Sequence, residues 1–343
     1  MRSKAPTRLQ VSGELDLIDV IRRRASAARS PGLRLGIGDD CALLRLRPGE
    51  ELAITTDLSI DTRHFYLGIH PPEAIGHRTL ARGLSDLAAM GARPVAAFLS
   101  LGLPSGLVRQ GSMGHHNKKS WADRFFDGLF ALAAAHNTPL AGGDLSQSPL
   151  AVADIVLLGA VPRDKALLRS SARPGDRIYV TGSLGGASAG LALLAQLARK
   201  AGGKLHSIPQ KLAPVLAPHL YPQPRVAQGL RLRGLASAAM DISDGLSLDL
   251  YRLCQASGVS AQVEVAQLPI ALGATLHQAL HGGEDYELLF TARESARIPR
   301  SIAGVSLTCI GHILPARKGR PTVALFVNGK VEPLTPSGWQ HFS

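Results

Sequence analysis

Apolar and polar residues follow two different periods along the chain, which predicts a protein that mixes helices and strands. Apolar residues at helical spacing predict helices over 14–24, 73–91, 121–136, 191–201 and 246–257. Short apolar runs that stop at Gly, Pro or Asp predict strands over 33–40, 52–57, 95–103, 139–144, 151–161, 178–182, 236–241, 261–265, the end of 279–290, 307–310 and 323–327. No repeat of fixed period interrupts this pattern.

Three segments predict connections or loops rather than regular elements. The charged segment 162–176 contains Pro174-Gly175 and indicates a junction between two domains, 1–162 and 163–343. The segment 207–225 holds five prolines and is interpreted as a connecting segment. The segment 105–120 is interpreted as a surface loop. Its paired His115-His116 would need a third ligand to bind a metal, and the sequence offers none nearby.

Composition and charge narrow the class of protein. With 343 residues, 45% of them hydrophobic and 19% charged, the chain is long enough for two globular domains of the α/β or α+β class. The formal charge of +12 favours anionic partners such as phosphates or nucleic acid, although a basic average over the whole surface explains it equally well. Aromatic residues make up only 4%, which argues against a binding surface that stacks nucleic-acid bases.

The cysteines and the hydropathy indicate a cytoplasmic protein. Cys41, Cys254 and Cys309 are far apart and form no CxxC pair, which argues against a disulfide scaffold or a structural zinc site and suits a reducing compartment. No signal-peptide pattern follows Met1, and no run of about 18 apolar residues exists, so no membrane span is expected.

Aspartates recur where apolar runs end. They follow the predicted strands at Asp39-Asp40, Asp57, Asp144, Asp241 and Asp244. Taken singly, each could be a turn aspartate that accepts a backbone hydrogen bond. Taken together, they would place several carboxylates in one cleft, where mutual repulsion requires a cation. Oxygen ligands without Cys or His suit Mg²⁺, and several ions with a polyphosphate are more plausible than one cage.

Asp86 belongs to this set although it lies on a helix. At about 100° per residue it points about 200° away from Leu84, which belongs to the buried stripe of the helix 73–91. Its neighbours on that face are small or apolar apart from Arg82. Either the carboxylate meets solvent, or another element or a ligand comes close to it.

Glycine clusters complement the aspartates. Gly142-Gly143, 182–190 and Gly282-Gly283 would let the backbone approach a phosphate closely, although such clusters also mark ordinary turns. Walker A (GxxxxGK[ST]) is absent, and so is GxGxxG after a strand, which argues against a P-loop kinase and a Rossmann dehydrogenase.

In their order along the chain these motifs resemble the thiamine-monophosphate kinase family, over about 14–342. The residues that carry the resemblance are Gly36-Ile-Gly-Asp39-Asp40, Thr55-Thr56-Asp57 with His64, Leu84-Ser-Asp86-Leu-Ala-Ala-Met-Gly91, Gly142-Gly143-Asp144, Asp241-Ile-Ser243-Asp244-Gly and Gly282-Gly-Glu284-Asp-Tyr-Glu-Leu. The family shares a superfamily with aminoimidazole ribonucleotide synthetase, selenophosphate synthetase and the hydrogenase maturation factor.

The resemblance implies a fold and an activity. The implied fold is an N-terminal α/β domain that binds ATP and Mg²⁺ and a C-terminal α+β domain, with the N-terminal sheet forming the interface of a homodimer. The implied reaction is direct, Mg²⁺-assisted transfer of a phosphoryl group from ATP to thiamine monophosphate, the last step of thiamine diphosphate biosynthesis. Neither a nucleic acid nor a membrane is expected as a partner.

The resemblance also implies roles for residues. The implied Mg²⁺ ligands are Asp40, Thr55, Thr56, Asp57, Asp86, Asp144, Asp241 and Asp244, of which Asp86, Asp144 and Asp244 are also the candidate catalytic residues. The implied ATP contacts are Gly143, Asp144, Arg169, Ser243 and Phe126. The implied contacts to the thiamine moiety are His64, Glu284 and Trp339. Without the family, His64 and Trp339 could be packing residues and Arg169 could form an inter-domain salt bridge.

Departures from the family pattern keep other functions open. Leu145 stands where the family usually has threonine, Gly83 where asparagine is frequent, and 60–63 lacks the usual acidic-glycine form. Selenophosphate synthetase and the hydrogenase maturation factor would need cysteines at positions where this chain has none. A basic nucleic-acid-binding protein and a catalytically silent nucleotide-binding relative remain further alternatives.

Overall fold

Two β-sheets that share no strand form the frame of the protein. The structure, a computed structural model, describes residues 14–25, 30–108, 119–205, 207–316 and 320–339. One sheet has four strands and the other has eight, and a separate pair of short strands lies near the N-terminus. No helix within these ranges is long and apolar enough to cross a membrane.

The first half of the chain builds the four-stranded sheet. In chain order its elements are α1 (Glu14–Ala25), β1 (Leu33–Leu35), β2 (Leu43–Leu44), β3 (Glu50–Ile60), α2 (Pro72–Ala89), β4 (Arg93–Leu103), α3 (Trp121–Ala135), β5 (Leu140–Gln147) and β6 (Val152–Pro162). The strand order is β3-β6-β4-β5, in which β4 and β5 are parallel and the other pairs are antiparallel.

The second half builds the eight-stranded sheet. Its elements are β7 (Arg177–Thr181), α4 (Gly186–Lys200), α5 (Ala213–Leu220), α6 (Val226–Leu232), β8 (Ala238–Ile242), α7 (Leu246–Ser257), β9 (Val259–Glu264), α8 (Leu276–His281), β10 (Glu287–Ala292), β11 (Ser301–Ile302), β12 (Val305–Pro315), β13 (Val323–Val327) and β14 (Lys330–Pro333). Seven strands follow the order β14-β13-β9-β12-β7-β10-β8, and β11 pairs with β12. Short 3₁₀ helices occur at 105–107, 210–212 and 265–267.

Helix α2 is the element on which both halves pack. It contacts β3 and β6 on one side and β8 and α6 on the other. Leu80, Leu84 and Leu87 are fully buried, as the helical spacing predicts. Of its 18 residues only Glu73, Arg82 and Asp86 are not buried. Arg82 and Asp86, one turn apart, share a face between the two halves, whereas Glu73 lies on the opposite side of the helix and pairs with Arg124 of α3.

Several predicted boundaries are wrong. Strand 33–40 ends at Leu35. Helix α4 begins at Gly186 rather than at 191, after Gly185 takes a left-handed conformation (φ 81°) that only glycine adopts without strain. The segment 207–225 contains α5, because Pro214 lies in the first turn, where a helix needs no N–H donor. Helices α6 and α8 were not predicted.

Helices α2 and α3 pack closely because glycines replace side chains at their contact. A Cβ atom on Gly128 would lie 1.8 Å from the Glu73 carbonyl oxygen, and one on Gly76 would lie 1.9 Å from the Phe125 carbonyl oxygen. We expect Gly128→Ala to lower the free energy of unfolding by about 1–3 kcal/mol, since the helices must move apart. Urea denaturation measures this change. The control is Gly106→Ala, where a Cβ meets nothing within 4 Å; equal midpoints for the two variants would contradict the account.

Candidate functional site

A cleft of about 980 Å³ lies between the two halves of the chain. The first half contributes Thr56, Asp57, His64, Arg82 and Asp86 to its walls. The second half contributes Asp241, Ser243, Asp244, Glu284 and Trp339. Residues predicted from separate motifs, up to 283 positions apart (Thr56 to Trp339), therefore line one cleft.

A second cavity, of about 520 Å³, lies beside the four-stranded sheet and receives other predicted residues. Asp40, Phe126, Gly143 and Asp144 line it together with apolar side chains such as Phe98. A Cβ atom on Gly143 would lie 1.9 Å from the Leu99 carbonyl oxygen, and its φ is 145°, so only glycine fits there. The predicted residues thus divide between two cavities, and Thr55 and Arg169 line neither.

Buried carboxylates crowd the centre of the cleft. Burial raises the pKa of Asp57 to about 6 and that of Asp241 to about 8, and it also raises the pKa of Asp86. Repulsion by Asp86 is a further cause for both Asp57 and Asp241. A carboxylate with a raised pKa is one whose charge lacks compensation, so this part of the cleft favours a cation.

Helix α2 supplies the counter-charges and hydroxyls around these carboxylates. Arg82 forms an ion pair with Asp57 (Nη2–Oδ1 3.2 Å) and donates to the Ser59 hydroxyl. Ser85 Oγ donates to Asp241 Oδ2 at 2.7 Å, which joins the first half of the chain to the second.

The carboxylate of Asp86 has compensating groups of its own. It accepts from the Thr55 hydroxyl, and the charges of Arg82 and Arg169 oppose the rise in its pKa. Thr55 and Arg169 therefore act on the cleft through Asp86 although they do not line it.

A buried aspartate shapes the turn that carries Asp244. Asp249 Oδ2 accepts the N–H groups of Ser243, Asp244 and Gly245 at 2.9–3.1 Å. Arg252 pairs with both Asp244 and Asp249. The sequence did not predict these roles for Asp249 and Arg252. The signal available for Asp249 was that it is the one charged residue in the segment 246–250.

The glycine-rich segment 182–190 is bound by the chain itself. The Asp285 carboxylate accepts the N–H of Gly185 (2.6 Å) and that of Ala187 (3.0 Å) at the start of α4. Burial raises the pKa of Asp285 to about 7. For these two N–H groups the prediction of a backbone open to phosphate is wrong, because the Asp285 carboxylate accepts from both of them.

Glu284 lines the same cleft, and its backbone N–H donates to the Ser243 carbonyl oxygen at 2.7 Å. Its φ of 68° places a non-glycine residue in the left-handed region. Nη2 of the buried Arg78 donates to both of its oxygens, at 2.6 and 2.7 Å. The contact of Arg78 with Glu284 was not predicted, although residues 78, 82 and 86 are spaced by four and share one face of α2.

Trp339 reaches the cleft through a segment attached to Ser247. The buried Ser247 hydroxyl donates to the Ser337 carbonyl oxygen (2.7 Å) and accepts the Ser337 N–H (3.2 Å). The backbone N–H of Trp339 donates to the Asp244 carbonyl oxygen at 3.2 Å. Gly338 is required between them, since a Cβ there would lie 2.4 Å from that same oxygen.

We expect Ser247→Ala to loosen this attachment and to expose the Trp339 indole more fully. The physical reason is that both Ser337 hydrogen bonds are lost, at about 0.5–1.5 kcal/mol each. The chain has two tryptophans, so a Trp121→Phe background isolates the emission of Trp339. The measurement is acrylamide quenching, which should increase. Quenching equal to that of the Trp121→Phe parent would show that Ser247 does not place the indole.

The predicted metal ligands do not form a preassembled cage. Within the described ranges, no group of three or more His, Cys, Asp or Glu side chains is arranged to hold a metal ion. The donors nevertheless have the right chemistry, because they are carboxylate and hydroxyl oxygens, and burial disfavours the charged forms of Asp57, Asp86 and Asp241 unless a cation is present. Mg²⁺ commonly takes one or two carboxylates together with water and substrate phosphates, so the residues fit an ion that binds with its ligand. His115-His116 lie outside the described residues.

Comparison with known proteins gives consistent matches. Residues 38–161 match the family model described as AIR synthase related protein, N-terminal domain, and residues 173–320 match its C-terminal domain. The chain is 38% identical to the thiamine-monophosphate kinase of Escherichia coli (strain K12), over 96% of this chain and 98% of that protein.

Solved structures agree with the sequence matches. A thiamine-monophosphate kinase from Stenotrophomonas maltophilia K279a is 38% identical, with a TM-score of 0.76 over 90% of this chain and 95% of that one. The structure of AaThiL complexed with AMPPCP and TMP is 30% identical, with a TM-score of 0.71 over 99% of this chain and 100% of that one.

Proposed function

The chain belongs to the AIR synthase related proteins and, among them, to the thiamine-monophosphate kinases, and we propose that its two cavities together catalyse ATP-dependent phosphorylation of thiamine monophosphate to thiamine diphosphate. The family resemblance and the two-domain fold predicted from the sequence are confirmed. The other superfamily activities and nucleic-acid binding are not favoured by these matches.

One observation carries the proposal: carboxylates from both halves of the chain converge beside Arg82 in the cleft. Asp57 and Asp86 come from the first half, and Asp241 and Asp244 come from the second. Transfer of a phosphoryl group between two anions needs alignment and charge neutralisation more than covalent chemistry. A cleft rich in uncompensated carboxylates provides sites for the cations that both anions require.

Each group of predicted residues receives a task in this proposal. Around the 520 Å³ cavity, Gly143, Asp144 and Phe126 bind ATP, with Ser243 and Arg169 closer to its phosphates. In the cleft, His64, Glu284 and Trp339 bind the thiamine moiety. Asp86, Asp144 and Asp244 would hold the cations that neutralise and align the two anionic phosphates. The acceptor phosphate is itself an anion with a pKa of about 6, so no side chain needs to act as a general base.

Magnesium fits the oxygen donors that the two cavities present. The residues that would hold the ions are Asp40, Thr55, Thr56, Asp57, Asp86, Asp144, Asp241 and Asp244. When bound, the ions would neutralise the charge of the donor and acceptor phosphates. The protein's own contribution is to keep these carboxylates close together, with Arg82 and Arg252 limiting their repulsion.

The homodimer is part of the same proposal. Strand β3 exposes Leu52, Ile54 and Leu58, which are 46%, 60% and 45% accessible on an edge strand of the four-stranded sheet. A second copy packed on this sheet would cover these side chains. Sedimentation equilibrium tests the proposal, and a monomer at micromolar concentration would contradict it.

The domain division and the cytoplasmic location complete the proposal. Strand β6 ends at Pro162 and β7 begins at Arg177, so the predicted boundary at 162/163 falls at the start of the segment that connects the two sheets. The cysteines are free thiols, which suits a reducing compartment.

Incubation with ATP, Mg²⁺ and thiamine monophosphate, followed by chromatography, tests the proposed activity. We expect thiamine diphosphate and ADP to form together. Binding of ATP without product would instead identify a silent nucleotide-binding relative, and salt-dependent binding of DNA without turnover would identify a nucleic-acid-binding protein. Either result would overturn the proposal.

A further inference from the structure

Two buried histidines, His70 and His219, lie close to Glu284, and the proposed phosphoryl transfer gives them no role. His70 is 4% exposed and His219 is 2% exposed, and their Nε2 atoms are 3.1 Å apart. Both rings line the end of the cleft where Glu284 lies. Burial and the nearby Arg78 charge lower the pKa of His70 to about 4 and that of His219 well below its usual value, so both rings are neutral at pH 7.

The backbone determines which nitrogen of His70 carries the proton. The Tyr66 N–H donates to His70 Nδ1 at 3.1 Å, and an N–H donor requires an unprotonated nitrogen there. A neutral imidazole carries one proton, so the proton of His70 is on Nε2. His70 therefore donates toward His219.

The same reasoning determines the proton of His219. Because His70 Nε2–H donates to His219 Nε2, that nitrogen is the acceptor, and the single proton of His219 is on Nδ1. His219 Nδ1 is buried, has no hydrogen-bond partner among the described residues and lies 3.6 Å from Glu284 Oε2. One backbone N–H thus fixes which nitrogen carries the proton in both rings, and it places the His219 Nδ1–H 3.6 Å from Glu284 Oε2.

Every polar group behind Glu284 in this arrangement is a donor. Arg78 Nη2 donates to both oxygens, and His219 Nδ1–H points toward Oε2 from the other side of the pair. Both oxygens of the Glu284 carboxylate therefore face donors on this side. Its side chain is 28% exposed, which leaves part of the carboxylate open to the cleft as a hydrogen-bond acceptor.

We propose that His70 and His219 are positioning residues that, through this single proton arrangement, hold Glu284 as an acceptor for an N–H donor on the heterocycle of the substrate. The identity of that heterocycle, the aminopyrimidine of thiamine monophosphate, rests on the proposed function. The proton arrangement itself rests only on the Tyr66 N–H, the two ring nitrogens of His70 and Nε2 of His219. The arrangement makes this end of the cleft selective for ligands that donate to Glu284 rather than accept from it.

The proton arrangement is tested by NMR on the full chain labelled with [¹⁵N]histidine. Long-range ¹H–¹⁵N spectra distinguish protonated from unprotonated ring nitrogens, and His70→Gln and His219→Asn assign the signals. We expect a neutral His219 protonated on Nδ1 and a neutral His70 protonated on Nε2. A proton on His219 Nε2, or an imidazolium at pH 7, would overturn the proposal. Because this experiment needs no turnover, its failure is distinguishable from failure of the proposed function.

Steady-state kinetics test the effect on the substrate. His219→Phe removes the donor, and we expect KM for thiamine monophosphate to rise about tenfold with kcat nearly unchanged. His219→Asn keeps an amide donor at the position of Nδ1 and should recover part of the loss. His136→Gln, a histidine at the end of α3 outside both cavities, is the matched control. A fall in kcat without a rise in KM, or equal KM values for the Phe and Asn variants, would contradict a positioning role.

Discussion

Replacing Asp86 with asparagine is expected to lower kcat by about 10³-fold or more, because the several kcal/mol that metal ions contribute to transition-state stabilisation depend on this charge. Asparagine preserves the size of the side chain and an oxygen that can accept from the Thr55 hydroxyl. What it removes is the carboxylate on the one partly exposed face of α2, between Asp57 and Asp241.

The fold should survive this substitution. Asp86 points away from the buried stripe formed by Leu80, Leu84 and Leu87, so packing of α2 does not depend on it. Circular dichroism and urea denaturation measure the fold, and a phosphoryl-transfer assay measures kcat. The matched control is Asp19→Asn on α1, whose carboxylate is 51% exposed and forms an ion pair with Arg22. An Asp86→Asn rate within about twofold of the Asp19→Asn rate would refute the role of Asp86 in charge neutralisation.

Arg225→Met is expected to produce the largest loss of stability, about 3–5 kcal/mol, since it leaves a buried carboxylate without its partner. Arg225 Nε donates to Glu287 Oε2 at 2.6 Å, and the Thr181 hydroxyl donates to the same carboxylate. The Glu287 side chain is only 6% exposed, so water cannot replace the lost guanidinium. The pair joins the segment before α6 to strands β7 and β10.

A double variant separates the lost ion pair from the lost packing. Arg225→Met with Glu287→Gln removes both charges and should recover most of the stability, because no unpaired charge remains buried. Arg177→Met is the matched control, since the pair of Arg177 with Glu294 is exposed and screened by solvent, so its loss should leave the unfolding midpoint almost unchanged. Urea denaturation compares the three variants. Equal losses for Arg225→Met and Arg177→Met would contradict the account.

Periodicity was sufficient to predict the elements whose packing is regular. Helix α2 and its buried leucines follow from the 3.6-residue spacing, and the separate position of Asp86 follows from the same geometry. Helix α5 could not be predicted in this way, because its five-proline surroundings resemble a loop and only tertiary packing of Leu216 and Leu220 stabilises it. The early start of α4 depends on Asp285, which lies 100 residues away from Gly185.

The residues of the candidate site also fall into two groups: those that neighbouring sequence predicts and those whose roles depend on contacts distant in sequence. Asp57, Asp86 and Asp241 could be proposed because each ends or follows an apolar run. Asp249 and His219 could not, since their roles arise from contacts that only the folded chain creates. Their sequence positions, within or beside apolar helical segments, do not distinguish them from ordinary buried polar residues.

The fate of the γ-phosphoryl group of ATP tests the central claim most directly. The experiment uses γ-labelled ATP with Mg²⁺ and thiamine monophosphate, and it follows the label into chromatographically separated products for the wild-type protein and for Asp86→Asn. The account predicts that the wild-type protein places the label in the terminal phosphate of thiamine diphosphate, in amounts equal to the ADP formed, and that Asp86→Asn does not. Label released only as inorganic phosphate, or no loss of label from ATP, would contradict it.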